Sequence, residues 1–365
     1  MKKAWAILWL VALLMAHQGA QAAPLEAIRE VLRHRLLPPP DETALANLSE
    51  ENLAQQLKSI DLYTQVFTPQ DYRAPLAGVG MWVGIGAGLV MRNTEAILNI
   101  YKGGAADLAH VPDRSRLVAI DGQPVKNLDV QNIADRLRGE AGSTVKLTVL
   151  QPEGKQKDFL VLRTVFKPLD VELVPPGTQH VVRVRDFSSG LTRSAMRATL
   201  DFLAKTRNTN NTEPILIDLR DAPGGDLYEA FDLAGLFLSS GTPLAIIKGR
   251  DDYSMEIRAP GGPKYTMPLV LLVGPETASA AEIFAGILHQ QNRAQLVGQT
   301  TYGKCSSQTD TLLPDGFVLR YTNKEVFFPN GDTCSGVGLI PDLEVDNNEI
   351  DILPRLVERA RIFFP

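Results

Sequence analysis

The stretch that decides the fold is residues 269–283, Leu-Val-Leu-Leu-Val-Gly-Pro-Glu-Thr-Ala-Ser-Ala-Ala-Glu-Ile. Its first five residues are all apolar, which is typical of a strand buried on both faces. The Gly274-Pro275 turn then separates this strand from a helix that begins near Ser279. An earlier apolar run, Pro214 to Leu219, predicts a second buried strand, which ends in the turn Pro223-Gly224-Gly225. Strands that alternate with helices in this way predict βαβ units and a layered α/β core.

Two further regions precede this core. Residues 25–37 place their apolar side chains on one stripe of a helix, which Pro38-Pro39-Pro40 ends. Residues 47–60 predict a second helix, opened by Asn47 or Ser49, and the two helices are either a packing arm or a dimerisation element. Residues 76–166 are β-rich, with a strand–turn–strand at 117–125 and a helix at 130–137.

The first 22 residues have the pattern of a secretory signal peptide. Lys2 and Lys3 are followed by an apolar run from Ala4 to Met15 and by the small-x-small cleavage sequence Ala20-Gln21-Ala22. The alternative is a retained membrane anchor, for which the run is short. We therefore expect export to the periplasm, no transmembrane segment after cleavage, and a net charge that changes from -5 to -7 as the two lysines leave. Such an acidic chain is a poor partner for nucleic acid.

Ser279 and its neighbours are candidates for nucleophilic chemistry. The motif Ser-x-x-Glu at 279–282 is also a capping box, so a helix cap is the alternative. A nucleophile in this position gains stabilisation of a developing oxyanion from the N–H of the next residue, Ala280. Gly224 and Gly225 follow a strand end, where α/β folds place their sites, although the motif also occurs as an ordinary turn.

Lys304 is the candidate general base. Most lysines are solvated at the surface, and to act as a base near neutral pH this one needs its pKa lowered by roughly 3, at a cost of about 4 kcal/mol. Gln308, four residues later, could aim the amine. His289 cannot serve as the base for Ser279, because it lies about 15 Å further along the predicted helix, and none of the other histidines sits in a motif. No cluster has metal spacing, and we predict no metal and no cofactor.

Together these motifs resemble the C-terminal processing (tail-specific) proteases, PDZ-containing serine peptidases of the S41 type. The resemblance covers residues 25–345 and is carried by motifs in a fixed order: Asp218-Leu219-Arg220 with Pro223-Gly224-Gly225, Ser279-Ala280-Ala281-Glu282-Ile283, Gly303-Lys304 with Gln308, and Gly336 to Asp342. Residues 76–166 resemble a PDZ domain, although Pro112-Asp113-Arg114-Ser115-Arg116 stands where the family has Gly-Asp.

The resemblance implies an α+β and α/β multidomain protein. Its parts would be a signal peptide (1–22), an N-terminal helical region (23–75), a PDZ-like β domain (76–166), and a catalytic core (167–365) similar to ClpP and the crotonases, with a C-terminal β segment. Ser279 would be the nucleophile, Lys304 the base and Gln308 its orienting residue. The N–H groups of Ala280 and of Gly224 or Gly225 would form the oxyanion hole.

The resemblance also implies the partners. Substrates would be proteins or peptides with accessible C-terminal tails, cut through an acyl-enzyme, and the N-terminal helices could form a homodimer. The PDZ loop would hold the tail carboxylate by backbone N–H groups, and it comprises Gly78, Val79, Gly80, Met81 and Trp82. Alternatives are a catalytically inactive PDZ-bearing scaffold and a crotonase-type thioester enzyme, which the signal peptide disfavours.

Cys305 departs from the family, which has glycine directly after the base. With export and only one other cysteine, we predict a Cys305–Cys334 disulfide, the alternative being two unpaired buried thiols. The bond would close a loop of about 30 residues and stabilise the fold by about 3.5 kcal/mol in the chain-entropy model.

Overall fold

The computed structural model of the chain describes residues 22–69, 72, 82–92, 94–151, 153–166, 169–174, 181–206, 214–261 and 265–345. Nearly all of the predicted signal peptide and the PDZ loop residues Gly78 to Met81 lie outside these ranges. Among the described residues, no helix has the length and apolar character needed to cross a membrane.

The helices and strands are numbered here in chain order. The helices are α1 Leu25–Arg35, α2 Glu42–Ala46, α3 Leu53–Ile60, α4 Ala105–Leu108, α5 Val130–Leu137, α6 Thr192–Thr206, α7 Leu227–Ala234 and α8 Ala280–Gln290. The strands are β1 Gln65–Phe67, β2 Trp82–Gly84, β3 Ala87–Arg92, β4 Glu95–Ile100, β5 Arg116–Ile120, β6 Gln123–Pro124, β7 Thr144–Leu150, β8 Gln156–Leu162, β9 Thr164–Phe166, β10 Val171–Leu173, β11 Val181–Val184, β12 Ile215–Asp218, β13 Pro243–Gly249, β14 Ser254–Arg258, β15 Leu269–Val273, β16 Gln295–Gly298, β17 Ser306–Leu312, β18 Val318–Phe327 and β19 Leu343–Glu344.

The chain divides into two compact units. The first contains the described residues before Ala74 together with Gly249–Asp252 and Ser307–Lys324. In it, β1 pairs antiparallel with β18, with Val66 opposite Leu319. The apolar stripe predicted for α1 packs in the core of this unit, together with side chains from the later part of the chain. That core includes Ile28, Leu32, Leu36, Leu45, Leu57, Leu313, Phe317 and Leu319.

The predicted helix over 47–60 is wrong at its start. The structure has two helices in this region, because Asp41 caps α2 by accepting a hydrogen bond from the N–H of Ala44 at 2.9 Å. Asn47 therefore ends a helix, and α3 begins only at Leu53, after Asn52 in a left-handed conformation (φ 60°). The prediction for α1 is confirmed except that it ends two residues early, at Arg35.

The second unit begins with the β-rich region. Strands β3, β4, β5, β7 and β8 form an antiparallel sheet in that order. The predicted strand–turn–strand is confirmed, because Asp121 (φ 48°) and Gly122 (φ 79°) occupy the two positive-φ positions of a tight hairpin turn between β5 and β6. The sheet and α5 enclose a core that includes Leu98, Ile133, Val145, Leu147, Val149 and Val161.

The α/β core of the second unit is a six-stranded sheet in the order β10–β11–β12–β15–β16–β19. All neighbouring pairs from β11 onward are parallel, and only β10 is antiparallel. The central strands β12 and β15 are buried along their whole length, as their apolar runs predict. Helices α6, α7 and α8 pack on this sheet through a second core, which includes Met196, Leu200, Phe231, Phe237, Phe284 and Leu288.

Candidate active site

The sequence motifs meet at one edge of the parallel sheet. Strands β12 and β15 are neighbours, with Ile215 opposite Leu269 and Asp218 opposite Leu272. Because parallel strands end at the same edge, the turns that follow them lie side by side. One hydrogen bond joins these turns directly, since the Ala278 N–H donates to the Ala222 carbonyl at 3.0 Å.

Ser279 has a strained backbone conformation. Its φ of 56° and ψ of -121° lie outside the regions favoured by residues other than glycine, at a cost of about 1–3 kcal/mol. The residue stands between the turn after β15 and the first residue of α8, Ala280. A sharp strand–turn–helix junction of this kind exposes the nucleophilic serine in the α/β-hydrolases.

Gly224 packs directly against this junction. A Cβ atom added to Gly224 would lie 2.7 Å from the Ala278 carbonyl oxygen and 2.8 Å from both the Ala280 nitrogen and Ser279 Cβ. Only glycine allows so close an approach, and its φ of 99° adds a second reason. Gly225 instead faces Phe187, whose carbonyl oxygen would lie 2.6 Å from an added Cβ atom. Of the two glycines predicted for the oxyanion hole, Gly224 is therefore the one in contact with Ser279.

Glu282 joins the serine segment to the lysine segment. Its side chain is fully buried, and its Oε2 accepts hydrogen bonds from the backbone N–H of Ser279 at 3.0 Å and of Lys304 at 2.7 Å. Because both nitrogens bond the same oxygen, they lie within about 6 Å of each other. The second oxygen, Oε1, accepts from the Gly303 N–H at 2.7 Å and from the Thr301 hydroxyl at 2.6 Å.

The capping-box interpretation therefore captured only part of the role of Glu282. Its carboxylate does accept from the N–H of Ser279, as a capping box requires. Two of its other donors, however, are the N–H groups of Gly303 and Lys304, which lie 21 and 22 positions later in the chain. The local motif could not reveal these long-range bonds, and Thr301 carried no signal in the sequence.

Lys304 lies in a segment that is held from its other side by the chain after β18. Its side chain is half-buried, whereas the next residue, Cys305, is fully buried. The Gly336 N–H donates to the Gly303 carbonyl at 2.9 Å. The sulfur atoms of Cys305 and Cys334 lie 1.97 Å apart and their Cα atoms 5.3 Å apart, which is the geometry of a disulfide.

Gln308 belongs to the first compact unit. It lies in β17, and its Nε2 donates to the Thr322 hydroxyl oxygen at 3.2 Å. Like Lys304, it is half-buried.

A buried charged network lies behind the Gly224 turn. Asp218, at the end of β12, pairs with Arg220 at 2.8 Å and Arg183 at 3.2 Å. Burial alone would raise the pKa of Asp218, but the charge of Arg220 and its hydrogen bonds, with Arg183, hold the pKa well below its ordinary value. Asp221 forms a second ion pair, with Arg114 of the β-rich region, and the pKa of its carboxyl is lowered by that charge against the opposing effect of burial.

Of the PDZ loop, only Trp82 is described, as the first residue of β2, where it pairs with Phe166 of β9. His289 contacts Asp342 at 3.0 Å, at the far end of α8 from Ser279. Within the described ranges, no group of three or more His, Cys, Asp or Glu side chains is placed to hold a metal ion.

Comparison with known proteins identifies the family. Residues 180–345 match the model of peptidase family S41, and residues 97–151 match that of a PDZ domain. A carboxyl-terminal-processing protease of Picosynechococcus sp. is 31% identical over 306 residues, which cover 80% of this chain and 71% of that protein. The chain belongs to peptidase family S41. The S41 match falls inside the predicted catalytic core, and the PDZ match falls inside the predicted PDZ-like region.

Other S41 relatives agree with this assignment. A probable CtpA-like serine protease of Staphylococcus aureus is 27% identical over 341 residues, covering 90% of this chain and 66% of that protein. The chain thus spans about two thirds of the length of these relatives. The solved structure of a photosystem II D1 C-terminal processing protease shares the fold, with a TM-score of 0.61, 23% identity, and coverage of 92% of this chain and 95% of that chain. The predicted combination of a PDZ domain and an α/β peptidase core is confirmed.

Proposed function

We propose that this S41 family member is an exported serine endopeptidase that cuts proteins near their C-termini with a Ser279–Lys304 dyad. The observation that carries the proposal is the buried carboxylate of Glu282, which bonds the backbone N–H groups of Ser279 and Lys304 through the same oxygen. It brings a serine at a strained helix start close to a lysine segment, although the two residues are 25 positions apart in the sequence.

The reaction would proceed through an acyl-enzyme. The neutral amine of Lys304 takes the proton of the Ser279 hydroxyl while Oγ attacks the carbonyl carbon of the scissile peptide bond. The resulting oxyanion accepts hydrogen bonds from the N–H groups of Ala280 and Gly224. Collapse breaks the C–N bond, and the Lys304 ammonium returns its proton to the leaving amine. Water, deprotonated by the same amine, then hydrolyses the ester and restores Ser279.

Several surrounding features belong to the same proposal. Gln308 would orient Lys304, and a Cys305–Cys334 disulfide would hold the segment that follows the base. The loop from Gly78 to Trp82 would capture the substrate's C-terminal carboxylate. A signal peptide would direct the enzyme to the periplasm. Because the apolar stripe of α1 is already buried within its own unit, packing is the better-supported role of the N-terminal helices, and dimerisation stays a prediction.

The test is cleavage of an unfolded protein with an apolar C-terminal tail, followed by mass spectrometry of the fragments. We expect Ser279→Ala and Lys304→Ala each to abolish cleavage, and Ser194→Ala and Lys205→Ala, the same changes on α6, to leave it intact. Blocking the tail by amidation should slow cleavage of the same protein if the C-terminal carboxylate is recognised.

Two outcomes would contradict the proposal. Either dyad variant with near wild-type cleavage would exclude the dyad. Binding of the tail by the wild-type protein without any cleavage would instead favour the PDZ-bearing scaffold.

A further inference from the structure

A buried ion pair joins the β-rich region to the turn that carries Gly224. Arg114, which lies between α4 and β5, pairs through Nη2 with Asp221 Oδ2, and both side chains are only 6% exposed. Asp221 is the first residue of the glycine turn, residues 221–225, and both partners belong to the second compact unit. A guanidinium from one folded region therefore reaches the turn on which the proposed oxyanion hole depends.

Arg114 makes this contact from an unfavourable backbone conformation. Its φ is 62°, in the left-handed region that residues other than glycine seldom adopt. Bonds to β4 hold it there, because the Arg114 N–H donates to the Leu98 carbonyl at 2.9 Å and the Leu98 N–H donates to the Ser115 carbonyl at 2.9 Å. The neighbouring Asp113 is bound by Arg183 of the α/β core at 3.2 Å. Strained residues that are held so firmly cluster at functional sites, which makes Arg114 a candidate for a role beyond packing.

The glycine turn needs contacts from outside to fix its conformation. Gly224 and Gly225 have φ values of 99° and 143°, and residues without a Cβ atom leave the backbone many alternatives. Backbone bonds hold part of the turn: the Phe187 N–H donates to the Gly224 carbonyl at 3.0 Å, and the Ala278 N–H donates to the Ala222 carbonyl at 3.0 Å. They fix the middle and the end of the turn.

Side chains of the β-rich region hold the start of the turn. Asp221 Oδ2 accepts from Arg114 and, more weakly, from Asn99 Nδ2 at 3.4 Å. Asn99 is buried, and its Oδ1 accepts from Arg185 Nη1 at 2.6 Å. Because the turn is short and rich in glycine, a shift at Asp221 changes the direction of the Gly224 N–H.

We propose that Arg114 and Asp221 are positioning residues of the peptidase reaction, which hold the glycine turn so that the Gly224 N–H is aimed at the oxyanion that forms when Ser279 attacks. The inference rests on the proposed function. Both side chains act through the backbone of the turn, without touching the reacting atoms. A donor stabilises the transition state fully only when it points to the place where charge develops, so a shifted turn slows the chemical step.

The central variant is Arg114→Met, which removes the guanidinium and keeps an apolar stem. We expect kcat to fall about tenfold with KM unchanged, which is less than the roughly 100- to 1000-fold that follows removal of an oxyanion donor, because the Gly224 N–H is misdirected and not lost. The inhibition constant of a peptide boronic acid, whose oxygen takes the place of the oxyanion, should rise by a similar factor.

The matched control is Arg293→Met. The Arg293 guanidinium is partly buried and donates to the Tyr265 carbonyl at 2.8 Å and to the Met267 carbonyl at 2.7 Å. Both carbonyls precede β15, whereas the glycine turn follows the parallel strand β12, so they lie at the opposite edge of the sheet. This variant should lower the melting temperature and leave kcat per folded molecule unchanged.

A double variant separates positioning from stability. Arg114→Met alone leaves the Asp221 carboxylate buried without the charge of its arginine, which destabilises the fold, and adding Asp221→Asn removes that buried charge. We expect the melting temperature of the double variant to recover towards the wild-type value. Its kcat should stay about tenfold low, because the contact that fixes the turn is still missing. This variant also decides the question if Arg114→Met alone does not fold.

The outcomes are distinct from those that test the dyad. The positioning role is overturned, and the proposed function stands, if kcat per folded molecule is unchanged in Arg114→Met or recovers with the melting temperature in the double variant. An effect on KM alone, or an equal fall of kcat in Arg293→Met, overturns it as well. If the wild-type protein shows no Ser279-dependent cleavage, the proposed function and this inference both fall.

Discussion

Replacing Glu282 tests whether one buried carboxylate holds the serine and lysine segments together. In Glu282→Gln an NH₂ group must take the place of one oxygen. If it replaces Oε2, it faces two N–H donors, those of Ser279 and Lys304. If it replaces Oε1, it faces the Gly303 N–H and the Thr301 hydroxyl, which can rotate to accept. The second orientation is favoured, because it leaves one backbone N–H donor without an acceptor, and not two.

The expected loss of stability follows from the number of donors that are left without an acceptor. One buried, unsatisfied N–H costs about 1–3 kcal/mol, and the loss of charge from the remaining bonds adds about 1 kcal/mol. We therefore expect Glu282→Gln to destabilise the fold by about 2–4 kcal/mol. Because the bonds to Ser279 and Lys304 survive in weakened form, kcat should fall about tenfold. Glu282→Ala loses all four bonds and should lower stability and kcat further.

The matched control is Glu229→Gln. Glu229 is also buried, at 3% exposure, and its two oxygens accept from the Gly190 N–H and the Arg193 N–H. Glutamine there also leaves one donor facing an NH₂ group, whichever way it turns. Thermal melts should show similar losses for both variants, whereas kcat per folded molecule should fall only for Glu282→Gln. If the two variants had equal kcat per folded molecule, the idea that Glu282 holds the serine and lysine segments together would be refuted.

Three further predictions follow from the same site. Gly224→Ala should abolish turnover, because the added Cβ atom would lie 2.7 and 2.8 Å from backbone atoms. In the control Gly190→Ala, nothing lies within 4 Å of the added Cβ atom, and the free energy of unfolding should fall by only about 1 kcal/mol. Equal cleavage rates for the two variants would contradict this prediction. Asp218→Asn should be destabilising at neutral pH. Because the pKa of Asp218 is lowered in the folded protein, its contribution to stability starts to decline only below about pH 4, so the difference between wild-type and variant melting temperatures should shrink progressively as the pH falls further. Reduction of the disulfide should lower the melting temperature by an amount that corresponds to about 3.5 kcal/mol, and separate alkylated Cys305 and Cys334 peptides from the unreduced protein would contradict the bond.

Periodicity in the sequence predicted most of the α/β core. The strand at 269–273 has the predicted bounds, and the strand Ile215–Asp218 lies within the predicted run from Pro214 to Leu219, because uninterrupted apolar runs bounded by turns are typical of strands buried on both faces. The N-terminal helices were predicted less well. Asn47 and Ser49 were interpreted as the start of a helix, but polar residues that can cap also occur at helix ends, and Asn47 follows α2.

The candidate site could be proposed from the sequence where its residues form local motifs, and not where residues meet across the fold. Ser279 and Lys304 stand in recognisable motifs, and the capping-box motif predicts a bond from Glu282 to the start of its own helix. Its bonds to residues beyond 300, however, depend on how the segment after β16 returns to α8. Thr322 offered no pattern in the sequence, because the partners of its hydroxyl, Gln308 and Asp61, lie far from it along the chain.

The way the lysine segment is held indicates what the disulfide contributes. Thr301, Gly303 and Lys304 all bond Glu282, and further bonds to the later chain do not involve sulfur, such as that from the Leu339 N–H to the Thr301 hydroxyl oxygen at 2.7 Å. These bonds fix the native position of the segment whether or not the disulfide forms. A covalent link between residues already held in place acts mainly by restricting the unfolded chain. Reduction should therefore lower the melting temperature while kcat, measured well below that temperature, stays nearly unchanged.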